Sequence, residues 1–226
     1  MKVSIHCLYW STVNPSVFEN HKMVLDKFEL PAFYTKENIP HGMWMNNVCN
    51  NFDSDVFVFF DIDCVPLERK IFDDSLEYVI KHNTFLGNAQ ASNHIKPMSH
   101  IFAAPSFFMI TKDCYNELGK PTFSETSRSD VAQEVSYIAE ERGKRYKCIY
   151  PTKFDGIPLE GVWRLSNYGL YGIGTLFQDK IYHLFQGRFN KNVELFGKRC
   201  QEIMRDSFDM SEMHNSLGEF NGPIVA

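Results

Sequence analysis

Apolar positions in the first part of the chain alternate between strand-like and helix-like spacing. Residues 2 to 9 alternate in the manner of a strand, and Asn14-Pro15 then offers a capping side chain followed by proline at the first helical position. Four later positions keep helical spacing: Val17, His21, Val24 and Phe28. The same alternation continues and predicts a strand at residues 33–34, a helix at residues 41–52 and a strand at residues 55–60. The predicted order up to residue 60 is therefore β-α-β-α-β.

The rest of the chain continues the alternation with one interruption. The spacing predicts helices at residues 67–82, 130–142 and 191–206, a short helix from Thr111 to Gly119, and strands at residues 85–87, 106–110 and 181–185. Residues 151–177 are rich in glycine and aromatic side chains, and we expect loops there that could close over a site. Strands that alternate with helices favour an α/β fold, with a mostly parallel sheet flanked by helices on both faces.

One predicted strand ends abruptly in two carboxylates. Residues 56–60 form a continuous apolar run, which is typical of a strand buried on both faces, and Asp61-Ile62-Asp63 follows directly. Ligands of open α/β sheets gather at the carboxyl ends of such strands. Because side chains alternate along a strand, Asp61 and Asp63 point to the same side and could bind one hard cation, Mg²⁺ or Mn²⁺. The alternative is a strand that simply ends in solvated acids.

Composition indicates an ordinary globular protein. The 226 residues are 44% hydrophobic and 23% charged, and no linker or repeat divides them, so we expect a single domain over residues 1–226. The formal charge of -5 argues against wrapping of nucleic acid, although basic clusters around Lys144 and Arg199 leave a local basic face open. Six scattered cysteines suggest free thiols in a reducing compartment, and no apolar run approaches roughly 18 residues. We therefore expect a soluble, cytoplasmic protein without a membrane span.

Further candidates for chemistry lie far from the two aspartates in sequence. His183 lies in an apolar strand, and imidazole is a ligand that Mn²⁺ accepts beside carboxylates. Asp130 and Glu134 are four residues apart near a predicted helix N-terminus, where a carboxylate is stabilised and could act as a base. Arg188 and Lys191 are suited to a phosphate. Each also has a plainer explanation: a core histidine, a helix cap and two surface charges.

Taken together, these features resemble the GT-A glycosyltransferases, enzymes that move a sugar from a nucleoside diphosphate to an acceptor hydroxyl. The resemblance covers most of the chain. It rests on the β-α-β-α-β order into Phe59-Phe60-Asp61-Ile62-Asp63-Cys64-Val65-Pro66, the segment from Ser106 to Phe123, the helix opening Asp130-Val131-Ala132-Gln133-Glu134, and Tyr182-His183-Leu184-Phe185. It implies a nucleotide-sugar-binding half at residues 1–90 and an acceptor half at residues 91–226 with a C-terminal helix.

The resemblance also implies roles for individual residues. Asp63, with Asp61 and His183, would hold Mn²⁺ or Mg²⁺ against the diphosphate of a donor such as a UDP-sugar, and Asp61 would lie near the donor ribose or the metal. Asp130 or Glu134 would be the base; the family often has Glu-Asp here and this chain has Ser129-Asp130, which leaves both open. The resemblance further implies Arg188 or Lys191 at the diphosphate, Tyr9 and Trp10 at the nucleotide base, and Asn88, Gln90, Asn93 and His94 at the sugar pocket.

Two other functions fit parts of the same pattern. Asp61-Ile62-Asp63-Cys64-Val65 is similar to the first motif of haloacid-dehalogenase-type phosphatases, in which Asp61 would be a nucleophile and Asp63 an acid. That motif normally lies on the first strand rather than the third. A domain that binds a sugar nucleotide without catalysis is the second alternative. The acceptor stays open among a glycan, a small molecule, a protein and a hydroxylated DNA base.

Overall fold

A computed structural model describes residues 1–155, 161–185, 190–222 and 224, without the side chains of residues 190 and 191. The helices are α1 (Pro15–Lys27), α2 (His41–Asn51), α3 (Arg69–His82), α4 (Lys112–Glu117), α5 (Gln133–Glu141) and α6 (Asn190–Met204). The strands are β1 (Val3–Tyr9), β2 (Ala32–Lys36), β3 (Val56–Asp61), β4 (Cys64–Pro66), β5 (Phe85–Ala91), β6 (Ile101–Thr111), β7 (Lys147–Ile149), β8 (Pro151–Asp155), β9 (Val162–Leu165), β10 (Gly169–Gly172), β11 (Gly174–Phe177), β12 (Ile181–Leu184) and β13 (His214–Asn215).

The main sheet has six strands in the order β2-β1-β3-β6-β5-β7. β1 pairs in parallel with β2 and β3, β5 pairs in parallel with β7, and β6 is antiparallel to both of its neighbours, β3 and β5. Five of the six strands thus run in one direction. The predicted α/β class with a mostly parallel sheet is confirmed.

Strand β3 lies at the centre of this sheet and is buried on both faces. Phe57 and Phe59 pack with α2, α4 and α5 on one face, whereas Val58 and Phe60 pack with α1 and α3 on the other. All four side chains have no exposed surface. This double burial explains why β3 is a continuous apolar run rather than an alternating one, and it fixes the strand that delivers Asp61 to the sheet edge.

A second, antiparallel sheet corrects the expectation of loops at residues 151–177. Its order is β13-β8-β11-β12-β4, and a hairpin of β9 and β10 lies beside it. Glycines in this region serve close packing within strands: a Cβ on Gly172 would lie 2.7 Å from the Asp155 carbonyl oxygen, and one on Gly174 would lie 2.3 Å from the Tyr182 hydroxyl. Such approaches depend on tertiary neighbours, so the sequence pattern resembled turns. The predicted turn at 156–158 lies outside the described residues.

The start of α5 differs from the prediction in a way that matters for Asp130. The helix begins at Gln133, because Ala132 adopts a left-handed conformation with φ 66° and cannot continue a helical path toward residue 130. Asp130 therefore lies in the preceding loop, and it does not share a helix face with Glu134. Within the described residues, no helix has the length and apolar character needed to cross a bilayer.

Candidate functional site

Three predicted ligand side chains meet where the two sheets adjoin. Asp61 is the last residue of β3, and Asp63 immediately precedes β4. Strand β12 pairs antiparallel to β4 with His183 opposite Cys64. This register places His183 Nε2 3.6 Å from Asp61 Oδ2 and 3.6 Å from Asp63 Oδ1. A pairing between residues about 120 positions apart thus assembles the cluster.

The cluster fits a hard divalent cation. One ligand atom from each of Asp61, Asp63 and His183 lies within 4.8 Å of the others. Two carboxylates and one imidazole form a donor set that Mn²⁺ accepts and that leaves room for further oxygen ligands. His183 is only 4% exposed, whereas both carboxylates reach the surface of a cavity. The imidazole is therefore held by the core while the oxygen ligands remain accessible.

Burial and neighbouring charges act in opposite directions on the ionisation of Asp61. Burial raises the pKa of the Asp61 carboxyl, the His41 and His183 imidazoles oppose that shift, and the Asp63 carboxylate adds to it. A bound cation would favour the ionised form of both acids. The neighbouring Cys7 and Cys64 are buried, and burial together with the two carboxylates raises their thiol pKa values. These thiols are therefore inert at neutral pH rather than nucleophiles.

His41 is a member of the site that sequence reasoning missed. It is the first residue of α2, and its Nδ1 lies 3.5 Å from Asp61 Oδ1. Its ring packs against Trp44 with 5.5 Å between centroids. In the sequence, His41-Gly42 indicated only a helix start. One signal was available in the sequence: His41 lies at the amino end of the helix that precedes β3. Such helix ends lie near the carboxyl edge of the sheet, where Asp61 and Asp63 were expected.

A cavity on one side of the cluster is lined by residues that the sequence predicted at the nucleotide base. It is lined by Tyr9, Trp10, His41 and the two aspartates, with Thr12 and Val13 completing one wall. Trp10 is 45% exposed, and its Nε1 donates to the Ile39 carbonyl oxygen at 3.2 Å. This hydrogen bond fixes an indole ring that is otherwise free to contact a ligand. Tyr9 instead stacks on Phe18, with 5.1 Å between ring centroids.

A second cavity lies on the other side of the same carboxylates. Asp61, Asp63 and His183 form one part of its wall, and Gln90, Asp130 and Phe185 form another. Asp130 Oδ1 accepts from the Val131 amide at 2.8 Å, while Oδ2 lies 3.9 Å from His94 Nδ1. The two cavities share Asp61 and Asp63. Ligands in the two cavities would therefore both lie against Asp61 and Asp63.

Glu134 is engaged elsewhere. Its carboxylate accepts from Arg128 Nε at 3.1 Å and from the Nη2 of the same guanidinium, and this contact lowers the pKa of Glu134. Arg128 also pairs with Glu141 at 2.6 Å. Glu134 does not line the cavity that contains Asp130. Of the two candidate bases, only Asp130 therefore shares a cavity with Asp61, Asp63 and His183.

The other predicted contacts are placed unevenly. Asn88 is buried and donates to Ser106 Oγ at 3.0 Å, so it belongs to the core of the sheet rather than to a ligand surface. Gln90 lines the cavity with Asp130, and Asn93 lines a neighbouring one. Arg188 lies outside the described residues. Lys191 belongs to α6, but its side chain is likewise not described.

Comparisons with known proteins give a limited result. No protein-family model matches the chain, and no curated protein matches it. A mannosyltransferase from Pyrobaculum calidifontis, solved with GDP-Man and Mn²⁺, aligns at 9% identity over 65% of this chain and 54% of that chain, with a TM-score of 0.46. A197 from STIV aligns at 13% identity over 82% of this chain and 95% of that chain, with a TM-score of 0.45. The catalytic domain of Drosophila beta1,4-galactosyltransferase 7 aligns at 11% identity over 65% of this chain and 64% of that chain, with a TM-score of 0.42.

Proposed function

We propose that this chain is a metal-dependent glycosyltransferase, which moves a sugar from a nucleoside-diphospho-sugar to an acceptor hydroxyl. The observation that carries the proposal is the position of the Asp61, Asp63 and His183 cluster between two cavities. One cavity presents an exposed indole, that of Trp10, and the other presents the carboxylate of Asp130. A donor and an acceptor in these cavities would meet at the cluster.

The donor side supplies recognition of a nucleotide. An exposed and hydrogen-bonded Trp10 offers a face for base stacking, and base–aromatic stacking is worth about 1–3 kcal/mol. Asp61 and Asp63, with His183, would hold Mn²⁺ or Mg²⁺, which when bound supplies Lewis-acid stabilisation of the departing diphosphate. We propose a UDP-sugar as the donor. Arg188 or Lys191 would brace the diphosphate.

The cavity on the acceptor side supplies a base, the Asp130 carboxylate. The oxygen of the acceptor hydroxyl forms a bond to the anomeric carbon of the donor sugar, and its proton passes to the Asp130 carboxylate. The bond between that carbon and the phosphate oxygen breaks, and its electron pair leaves with the nucleoside diphosphate. General-base catalysis of this type contributes about 10² to 10⁴ in rate. The Val131 amide, which donates to Asp130 Oδ1 at 2.8 Å, would help to hold the carboxylate in place.

A donor-turnover assay tests this function. The full chain is incubated with Mn²⁺ and UDP-, GDP-, CDP- or ADP-linked sugars, and release of the nucleotide is measured with and without chelator. We expect one donor to be consumed only with metal, and Asp63→Asn to abolish consumption. The matched control is Asp73→Asn, because Asp73 is an exposed carboxylate on α3 that pairs with Arg69 away from the cluster.

Two results would contradict the proposal. The first is an absence of metal-dependent turnover for every donor, which would favour a binding domain without catalysis. The second is metal-dependent release of phosphate from p-nitrophenyl phosphate together with a trapped phospho-aspartate at Asp61, since this intermediate belongs to the phosphatase alternative.

A further inference from the structure

A third cavity adjoins the one that contains Asp130. Its walls come from the end of β5 with the loop that follows and from the β9–β10 hairpin. The two cavities are neighbours at Phe185, because Phe185 lines the Asp130 cavity and its ring contacts that of Tyr171, which lines this one. An acceptor whose hydroxyl reaches Asp130 would extend past Phe185 to reach the third cavity.

An aromatic wall connects this cavity to the metal cluster. Phe185 lines the Asp130 cavity, and its ring lies 4.1 Å from that of His183, between centroids. Tyr171 lies 5.2 Å from Phe185, and Trp163 lies 6.2 Å from Phe185. Trp163 and Tyr171 both line the third cavity. Phe185 therefore lies between His183 and the two aromatic residues that line the third cavity.

Trp163 provides a fixed and partly exposed indole in that wall. Its ring stacks on Tyr171 at 5.6 Å with an interplanar angle of 29°. A Cβ on Gly161 would lie 2.7 Å from the Trp163 ring, so only glycine allows the backbone to approach the indole this closely. Two neighbours thus hold the ring in one orientation. Such preorganisation lowers the side-chain entropy that the protein loses when a ligand stacks on the surface that remains open.

The polar groups around the indole are uncharged with one exception. Ser92, Asn93 and Asn167 supply hydroxyl and amide groups that both donate and accept hydrogen bonds. Among the described residues that line this cavity, Arg164 is the one charged side chain. A nucleic-acid acceptor depends on neutralising several phosphates. An aromatic face among hydroxyls and amides instead matches a molecule with an apolar ring face and many hydroxyl groups, which is a neutral saccharide.

We propose that the acceptor is a neutral saccharide, and that a sugar ring beside the reacting unit packs on Trp163 in the third cavity. This inference rests on the proposed transferase function. The saccharide hydroxyl gives its oxygen to the new glycosidic bond and its proton to Asp130, while the donor's diphosphate leaves with the electron pair of the broken bond. Asn93 and Asn167 bind hydroxyl groups of the sugar ring held by Trp163.

The test separates failure of this inference from failure of the proposed function. Donor hydrolysis to water by the wild-type chain is measured first, since it depends on the donor site and the metal. Transfer is then measured with cellobiose, lactose, maltose and mannobiose as acceptors, and with a single-stranded 20-nucleotide DNA. We expect transfer to at least one disaccharide and none to DNA. Hydrolysis together with transfer only to DNA, or to none of these acceptors, would overturn the saccharide proposal.

Variants of Trp163 test its role directly. For the best disaccharide, Trp163→Ala should raise the acceptor KM at least tenfold with a smaller change in kcat, and Trp163→Phe should restore most of the affinity. Phe33→Ala is the control, because Phe33 is an aromatic residue that is 55% exposed on the edge strand β2. An unchanged acceptor KM in Trp163→Ala would refute the assignment.

A binding measurement keeps the inference testable if no donor is consumed. The same four disaccharides are titrated into protein labelled with ¹⁵N at tryptophan, and the Trp163 indole signal is identified from its loss in Trp163→Phe. A saturating shift of that signal at millimolar disaccharide supports the site. No shift for any of the four overturns it, whatever the fate of the transferase proposal.

Discussion

Replacing Arg199 by methionine should unfold the chain at a much lower temperature and weaken the metal cluster. Arg199 lies on α6 with its side chain 3% exposed, and its Nη2 donates to Asp155 Oδ1 at 2.7 Å. Its Nη1 donates to Glu202 at 2.9 Å and to the Asp209 carbonyl oxygen at 2.6 Å. Asp155 in turn accepts from the Tyr182 hydroxyl at 3.0 Å. Since Tyr182 precedes His183 on β12, this network anchors the strand that carries the imidazole.

The size of the expected decrease in Tm follows from leaving the buried Asp155 carboxylate without the Arg199 guanidinium. Asp155 is 9% exposed, so it gains little hydration when Arg199 is removed. Breaking a buried ion pair at one partner costs about 3–5 kcal/mol. For a chain of this size, each kcal/mol lowers Tm by about 2–4 °C. We therefore expect a decrease of about 6–20 °C, measured by calorimetry or circular dichroism.

Three controls accompany this measurement. Arg205→Met should leave Tm nearly unchanged, because Arg205 is exposed just beyond the end of α6. In the double variant Arg199→Met/Asp155→Asn, a neutral amide replaces the buried carboxylate. We expect this variant to recover at least half of the Tm that Arg199→Met loses. The Mn²⁺ affinity of Arg199→Met should fall along with Tm. A decrease in Tm of less than 2 °C, or full additivity in the double variant, would refute the network argument.

Three further predictions concern the donor site, the metal and pH. Trp10→Ala should weaken nucleoside diphosphate binding by about 1–3 kcal/mol in calorimetry, because base stacking is lost, and Trp10→Phe should restore most of the affinity. Equal affinity in the wild type and both variants would exclude the indole from the site. Mn²⁺ at 100 times its Kd should add about 2.7 kcal/mol of stability, a rise in Tm of about 5–11 °C, in the wild type but not in Asp63→Asn; an equal rise in both would place the metal elsewhere. Burial lowers the pKa of His21 to about 4, so between pH 4 and about 6.5 the unfolded chain binds a proton at His21 that the folded chain does not. The free energy of unfolding should therefore fall by up to about 3 kcal/mol as the pH drops from about 6.5 to 4. His21→Gln should flatten this dependence in denaturant titrations, although His6, whose pKa burial lowers to about 4 as well, keeps part of it; an unchanged profile would contradict the assignment to His21.

The elements predicted well are those with strong local signals. Asn14 caps α1 and Pro15 opens it, as the sequence indicates, and the Asn14 side chain accepts from the Ser16 amide. Strand β3 is evident because burial on both faces requires an unbroken apolar run. Thr111 caps α4 through the Cys114 amide. In each case the determinants lie within a few residues of the element that they specify.

The elements missed depend on distant neighbours. Strands β10 and β11 contain Gly172 and Gly174, which lie against Asp155 and Tyr182, and no local pattern shows this contact. The start of α5 depends on the left-handed conformation of Ala132, a residue type with high helix propensity. The closeness of His183 to the aspartates follows from the register of β12 on β4. Sequence supplied the three residue types, and the long-range pairing supplies their geometry.

The most direct test of the central claim is a calorimetric titration of UDP, followed by GDP, CDP and ADP, into the protein. Each titration is run with Mn²⁺ and with chelator, on the wild type, on Asp63→Ala and on the exposed control Asp73→Ala. The account predicts micromolar, Mn²⁺-dependent binding of one nucleotide, about -8 kcal/mol, which is lost in Asp63→Ala and kept in the control. Binding of no nucleoside diphosphate, or binding that is the same with chelator and in Asp63→Ala, would contradict it.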